Sequence, residues 1–148
     1  MNAIARLAVV GGVLCAACGA GPPPPAMLDA ANDACGYCRM VVSDPRFASQ
    51  VAAPNEEPRF FDDLGCLKHF LDAGAGPRVV VYVADHRTKA WVVARNAVYT
   101  RVDATAPMGS HFIAHASTAS RDADPDAATG QPAAVADVLG PGGARDKG

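Results

Sequence analysis

The feature that most constrains this chain is a group of sulfur side chains. Cys35, Cys38 and Met40 fall within six residues, and Cys66 follows further along the chain. Thiolate and thioether sulfurs are soft ligands, which suit a soft closed-shell ion such as Cu(I) and suit Mg²⁺ or Ca²⁺ poorly. The pattern therefore predicts a metal protein whose fold must bring the C-x-x-C segment and Cys66 to one place.

The N-terminus has the pattern of a secretory signal. Arg6 supplies one positive charge, and an apolar run of eleven residues from Leu7 to Ala17 follows it. A membrane-spanning helix needs about 20 residues, so this run is too short to be one. Because Ala16-Ala17-Cys18 resembles the end of a bacterial lipobox, residues 1–17 are predicted to be a lipoprotein signal peptide and Cys18 the site of lipidation.

The predicted location is the periplasmic side of a bacterial membrane. Gly19 follows Cys18 and provides no Asp-type retention signal, which favours a lipid anchor in the outer membrane. The alternative is an ordinary cleaved signal in which Cys18 carries no lipid.

Composition limits the partners and the disulfide pattern. Removing residues 1–17 leaves 131 of the 148 residues and moves the net charge from −2 to −3, because Arg6 is lost. No basic surface therefore indicates a nucleic-acid partner. With Cys15 cleaved off and Cys18 acylated, three thiols remain, and an odd number cannot all pair within one chain in an oxidising compartment.

Hydrophobic patterning predicts an α+β domain over residues 30–116. Asp62 or Asp63 is a good N-cap for a helix with an apolar stripe, which Gly74 and Gly76 would end. Short β-rich runs predict strands at residues 39–42, 47–52, 78–84, 90–102 and 111–116.

The flanking segments have different compositions. Residues 18–29 include four consecutive prolines and are predicted to form a stiff linker. Residues 117–148 have almost no large apolar side chains and are predicted to be a disordered low-complexity tail, with one weak helix at 133–139.

These elements would place the sulfur atoms together. On a strand over 39–42, Met40 would share a face with Cys38, because strand side chains alternate. Cys35 lies in the preceding turn and can fold back toward Cys38. Cys66 falls in the first helical turn, where the free N–H groups and the helix dipole favour a thiolate.

Each ligand has a plainer alternative. The C-x-x-C pair suits a structural disulfide or a thioredoxin-like redox centre, although a redox pair usually begins a helix. Met40 and Cys66 would also serve as core residues, whereas Met108 lies in a turn and is a further candidate ligand. The histidines are expected to be surface or partly buried residues: His69, His86, His111 and His115.

The combined motifs resemble those of the NosL family, copper-binding lipoproteins that accompany nitrous oxide reductase. The resemblance covers about residues 30–116 and rests on the lipobox, on Cys35-Gly36-Tyr37-Cys38-Arg39-Met40, on Phe61-Asp62-Asp63-Leu64-Gly65-Cys66, on Trp91-Val92 and on Pro107-Met108-Gly109. It implies two small ββαβ-type units and one Cu(I) site with sulfur ligands. It also implies delivery of copper to the reductase or its maturation machinery.

This chain departs from the family pattern at three places. Arg39 stands where the family usually has glycine, and Leu67 follows Cys66 where methionine is common. Residues 117–148 replace the second unit's helix, so the second unit is predicted to be incomplete. No Ser-His-Asp set, phosphate loop or nucleotide fingerprint is visible, so an enzyme is not expected. The enzyme-class alternative is thiol-disulfide exchange by Cys35 and Cys38.

Overall fold

The computed structural model describes residues 21–76, 78–103 and 105–143. The predicted signal peptide and the lipidation site at Cys18 lie outside these residues. These residues form helices and two antiparallel sheets, which confirms the α+β class. The elements are β1 (Ser49–Ala52), β2 (Arg59–Phe61), α1 (Leu64–Asp72), β3 (Val80–Ala84), β4 (Trp91–Val93), β5 (Val98–Arg101), β6 (Phe112–His115), α2 (Thr118–Asp122), β7 (Gln131–Ala133) and α3 (Val135–Gly143).

The first sheet has the order β2-β1-β3-β4 and is antiparallel throughout. Its central strand β1 is buried along its whole length, and Ser49 pairs with Phe61 on one side and Val83 on the other. Together β1, β2, α1 and β3 form a ββαβ unit. A 3₁₀ turn at Ala94–Asn96 separates β4 from β5, so the predicted strand at 90–102 contributes to both sheets.

The second sheet repeats this topology. Strands β5, β6 and β7 have the order β6-β5-β7, and α2 connects β6 to β7, as α1 connects β2 to β3 in the first unit. The second ββαβ unit is therefore complete, which corrects the prediction that it lacked an element.

The segment predicted to be a disordered tail completes this unit. Residues 117–143 form α2, β7 and α3; the remaining residues of the predicted tail, 144–148, lie outside the described part. Composition was misleading here because a strand is held by its backbone hydrogen bonds and a short helix by its cap. Tyr99 pairs with Ala133 across β5 and β7, and the Ser117 side chain caps α2.

Helix α1 begins and ends where the sequence predicts. Asp63 is the N-cap, and its side chain accepts a hydrogen bond from the Gly65 N–H. Leu64 and Leu67 are buried on the apolar face of the helix.

Helix α3 packs on α1 and closes the core. Val138 and Leu139 are buried in the same cluster as Phe61, Leu67 and Tyr99, so the two units share one hydrophobic core. Gly140, with φ of 70°, interrupts the helix just before Pro141.

The proline-rich segment also contacts the first sheet. The Tyr82 hydroxyl donates to the Pro23 carbonyl oxygen over 2.7 Å. The Gln50 side-chain amide pairs with both backbone groups of Ala26, at 2.8 and 3.0 Å. Part of the segment predicted to be a stiff linker over 18–29 is therefore attached to the domain, at residues 23–26. No helix among the described residues has the length and apolarity needed to cross a bilayer.

Leu139→Ala should destabilise the whole domain, because it leaves a cavity in the shared core. We expect the free energy of unfolding to fall by about 2–5 kcal/mol, measured by urea denaturation. Met27→Ala is the control, because that side chain is 91% exposed and should change stability by less than about 0.5 kcal/mol. Equal effects of the two substitutions would contradict the packing of α3 on α1.

Candidate metal centre

The C-x-x-C segment forms a tight turn rather than the start of a strand. The Cys35 N–H donates to the Met40 carbonyl oxygen over 2.7 Å, and the Arg39 N–H donates to the Cys35 carbonyl oxygen over 3.1 Å. The predicted strand at 39–42 is wrong: it is reduced to one isolated bridge between Ala34 and Val41.

The cause is the backbone at Arg39, where φ is 68°. This left-handed conformation costs a side chain about 1 kcal/mol, and glycine adopts it freely. Position 39 is the one where the resembled family usually carries glycine. Arg39 therefore adopts the left-handed backbone conformation that glycine would favour at this position.

Main-chain and ring contacts hold this turn against β2 and α1. The Gly36 N–H donates to the Phe60 carbonyl oxygen over 2.8 Å. A Cβ atom at Gly36 would lie 3.2 Å from the Phe61 ring, so glycine permits this close approach. The Tyr37 ring stacks on His69, with ring centroids 4.8 Å apart. His69 is exposed, as predicted, and follows Cys66 by three residues on α1.

The three cysteines meet at this junction. The sulfur atoms of Cys35, Cys38 and Cys66 lie within 4.8 Å of one another, and all three thiols are free. Cys35 and Cys66 are buried, while Cys38 is partly accessible. The predicted meeting of the helix N-terminus with the C-x-x-C turn is thus found, and a metal ion would fit among the three sulfurs.

The thiols of Cys35 and Cys66 differ in how readily they ionise. Burial opposes the ionisation of Cys35, but the backbone N–H groups of Asp62, Tyr37 and Cys38 and the Cys38 thiol donate to its sulfur, so its pKa is lowered. Burial raises the pKa of Cys66, and the negative charge of Cys35 raises it further.

The expectation that the helix N-terminus would favour a Cys66 thiolate is therefore corrected. One N–H of the first turn, that of Gly65, is used by the Asp63 carboxylate. A bound cation would reverse the balance at Cys66, because a coordinating thiol loses its proton.

The two candidate methionine ligands lie in segments whose main chains contact the cysteine turn and the start of α1. Met40 is 48% exposed and Met108 45% exposed. Because residues 39–42 are not a strand, the argument that Met40 shares a strand face with Cys38 no longer applies. Its main chain nevertheless closes the cysteine turn. The Met108 N–H donates to the Asp63 carboxylate over 3.2 Å, which fixes its loop at the N-terminus of α1.

A second group of side chains that could bind a metal was not predicted from the sequence. His86, His115 and Asp124 are buried, and their ligand atoms lie within 4.8 Å of one another. The prediction that His86 and His115 were surface or partly buried residues is wrong. Asp124 belongs to the segment predicted to be disordered, so no partner for the histidines was expected. The Asp124-Pro125 step, a helix-start signal, was the overlooked indication.

No known protein-family model matches this chain, and neither the curated proteins nor the solved structures contain a match.

Asp63→Asn should loosen the Met108 loop while keeping the helix cap. Asparagine caps helices as well as aspartate, but its side chain has one acceptor oxygen, whereas Asp63 accepts from Gly65 with one oxygen and from Met108 and Ser110 with the other. Both donors are part-buried, so leaving them unpaired should lower the free energy of unfolding by about 1–2 kcal/mol, measured in urea.

The matched control is Asp62→Asn. Burial, and then the Asp63 charge, raise the pKa of Asp62, and its Oδ1 atom has no hydrogen-bond partner. A neutral amide should therefore cost less than about 1 kcal/mol there. A larger loss at position 62 than at 63 would show that Asp63 does not organise this region.

Proposed function

We propose that this protein binds one Cu(I) ion through Cys35, Cys38 and Cys66 and carries copper for the maturation of nitrous oxide reductase. The observation that supports metal binding is the convergence of three free cysteine sulfurs within 4.8 Å. The lowered pKa of Cys35 supports it further, since the thiolate is the form that binds metal.

The ligand set favours Cu(I) over other ions. Cysteine sulfurs are soft donors and suit Cu(I), while Mg²⁺ and Ca²⁺ prefer oxygen. A structural Zn²⁺ site almost always has four protein ligands, whereas the described cysteines supply three sulfurs here. A thioether from Met40 or Met108 is a neutral additional ligand that copper accepts readily.

The surroundings of the site suit transfer of the ion to another protein. Cys38 is partly accessible, and its neighbours in the chain, Tyr37, Met40 and Val41, expose about half of their surface. Met108, whose loop is fixed at the start of α1, is exposed to a similar degree. A partner's sulfur or nitrogen atom can approach from this side and bind the ion before Cys38 leaves it. The apolar side chains around that side provide a surface on which the partner can dock.

The identity of the recipient comes from the resemblance to the NosL family alone. In this proposal the protein acts at the periplasmic side of a membrane, anchored by a lipid on Cys18, and it is not an enzyme. It binds nitrous oxide reductase or the machinery that matures it and has no nucleic-acid partner.

Thiol-disulfide exchange by Cys35 and Cys38 is the second candidate. The lowered pKa of Cys35 beside the Cys38 thiol favours it. However, Cys35 has no exposed surface, and the pair lies in a turn rather than at the start of a helix. An attacking thiolate must reach its substrate, so the burial of Cys35 argues against this chemistry.

Cu(I) should bind with a stoichiometry of one per chain under anaerobic, reducing conditions, with sulfur dominating the X-ray absorption first shell. Cys35→Ser, Cys38→Ser and Cys66→Ser should each lower the affinity by at least about 100-fold, beyond the 10–100-fold typical of losing an outer-shell partner. Affinity is measured by competition with a Cu(I) chelator.

The methionines give a graded comparison in the same assay. Met40→Leu and Met108→Leu should weaken binding less than the cysteine variants, because a thioether carries no charge. Met27→Leu removes a thioether that is 91% exposed and should leave the affinity unchanged. Wild-type affinity in all three serine variants would place the copper elsewhere.

A strain lacking this gene should make nitrous oxide reductase with reduced copper content and should release N₂O. The wild-type gene should restore the copper, and the Cys35→Ser/Cys38→Ser double variant should not. Full restoration by the double variant would separate the thiols from copper delivery. Normal reductase together with a defect in periplasmic disulfide formation would instead favour the redox candidate.

A further inference from the structure

The buried group of His86, His115 and Asp124 joins the two units of the fold. His86 follows β3 of the first unit, His115 ends β6 of the second, and Asp124 follows α2. Asp124 Oδ2 lies 2.7 Å from His86 Nδ1 and 2.9 Å from His115 Nε2. These side chains are between 0% and 5% exposed.

The main chain holds all three residues in place. The His86 N–H donates to the Ala114 carbonyl oxygen over 2.8 Å, and the Asp85 carboxylate accepts from the Ala116 N–H over 2.8 Å. The other carboxylate oxygen of Asp124 accepts from the Asp126 N–H over 3.0 Å. The three ligand atoms therefore face each other without any rearrangement of the backbone.

The hydrogen bonds within this group leave one ring nitrogen of each histidine without a partner. His86 Nε2 and His115 Nδ1 are buried and have no hydrogen-bond partner. If each neutral ring donates its facing N–H to Asp124, then His86 Nε2 carries a lone pair and lies 4.0 Å from the Asp126 carboxylate. A lone pair beside a negative charge is unfavourable. A metal ion on the Nδ1 atom would leave the hydrogen on Nε2, and the negative charge of Asp126 would favour a proton there.

The local charges also favour a cation. Asp44, Asp124 and Asp126 lie around His86. The nearby positive charge is the Arg46 guanidinium. Arg46 pairs closely with Asp44, at 2.8 Å, and lies 3.7 Å from Asp126. With neutral histidines the surplus charge is negative, and the Asp124 carboxylate that contributes to it is buried. Either protonated histidine or a bound cation would balance it.

We propose that His86, His115 and Asp124 form a second metal site, which binds Zn²⁺ and joins the two ββαβ units. Imidazole nitrogen and carboxylate oxygen are ordinary Zn²⁺ ligands, whereas Cu(I) prefers the sulfur site. Three protein ligands leave one coordination position for water. The site is independent of copper carriage, because it shares no ligand with the cysteine cluster.

The test uses the full-length protein with all five cysteines changed to serine, so that no thiol can bind the probe. This parent should bind one Zn²⁺ per chain, and Zn²⁺ should raise its Tm. Adding Asp124→Asn should weaken Zn²⁺ binding at least about 100-fold and abolish the rise in Tm. Asparagine keeps the shape and the capping oxygen. Adding His111→Asn, at an exposed residue with φ of 61°, should change neither result.

Wild-type protein provides a second measurement, should the cysteine-free variant fail to fold. Co²⁺ bound to the wild type should show a component without thiolate-to-cobalt charge transfer, and His115→Gln should remove that component alone. The proposal is overturned if the folded parent binds no Zn²⁺, or if Asp124→Asn binds as tightly as its parent. It is equally overturned if every Co²⁺ band carries thiolate character; Asp124 would then only be a hydrogen-bond partner of the two histidines.

Discussion

One buried carboxylate organises the region around the cysteines. Asp63 caps the helix that carries Cys66 with one oxygen, and its other oxygen accepts the N–H groups of Met108 and Ser110 from the second unit. A carboxylate can do both because its two oxygens point in different directions and each accepts more than one donor. The start of the helix that carries Cys66 and the loop that carries Met108 are therefore held together by a single side chain.

The cysteine cluster and the histidine group lie in different parts of the fold. The cysteines lie where the C-x-x-C turn meets the first turn of α1, while the histidines and Asp124 lie where β3, β6 and the segment after α2 meet. Soft sulfur and borderline imidazole nitrogen select different ions. Under the two proposals, the chain separates a cargo site at the cysteines, which must release its ion, from a site at the histidines that holds two halves of the fold together.

Sequence reasoning succeeded where the chemistry is local. The Asp63 cap, the apolar stripe of α1 and the β-rich run of β3 each follow from a few neighbouring residues. The convergence of Cys66 with the C-x-x-C turn was expected from the helix start. The turn itself was misread, because the positive φ at Arg39 cannot be inferred from a side chain that ordinarily avoids it.

The C-terminal part was misjudged for a different reason. Low content of large apolar residues predicts disorder only for a segment that must form its own core. Here Val138 and Leu139 complete a core that the rest of the chain has already built, and Gln131–Ala133 adds a strand to an existing sheet. The histidine group was missed for the same reason, because Asp124, which contacts both His86 and His115, lies in the segment predicted to be disordered.

The packing of α3 on α1 also sets an order of events during folding. Leu139 and Leu67 occupy one cluster although they lie far apart in the chain. Contacts between distant residues require the closure of a long loop, so the helix bearing Cys66 can form before α3 covers it. A chain truncated before α3 would lack part of the core that Cys35 and Cys66 share, and its cysteines would have no finished pocket in which to hold a reactive ion.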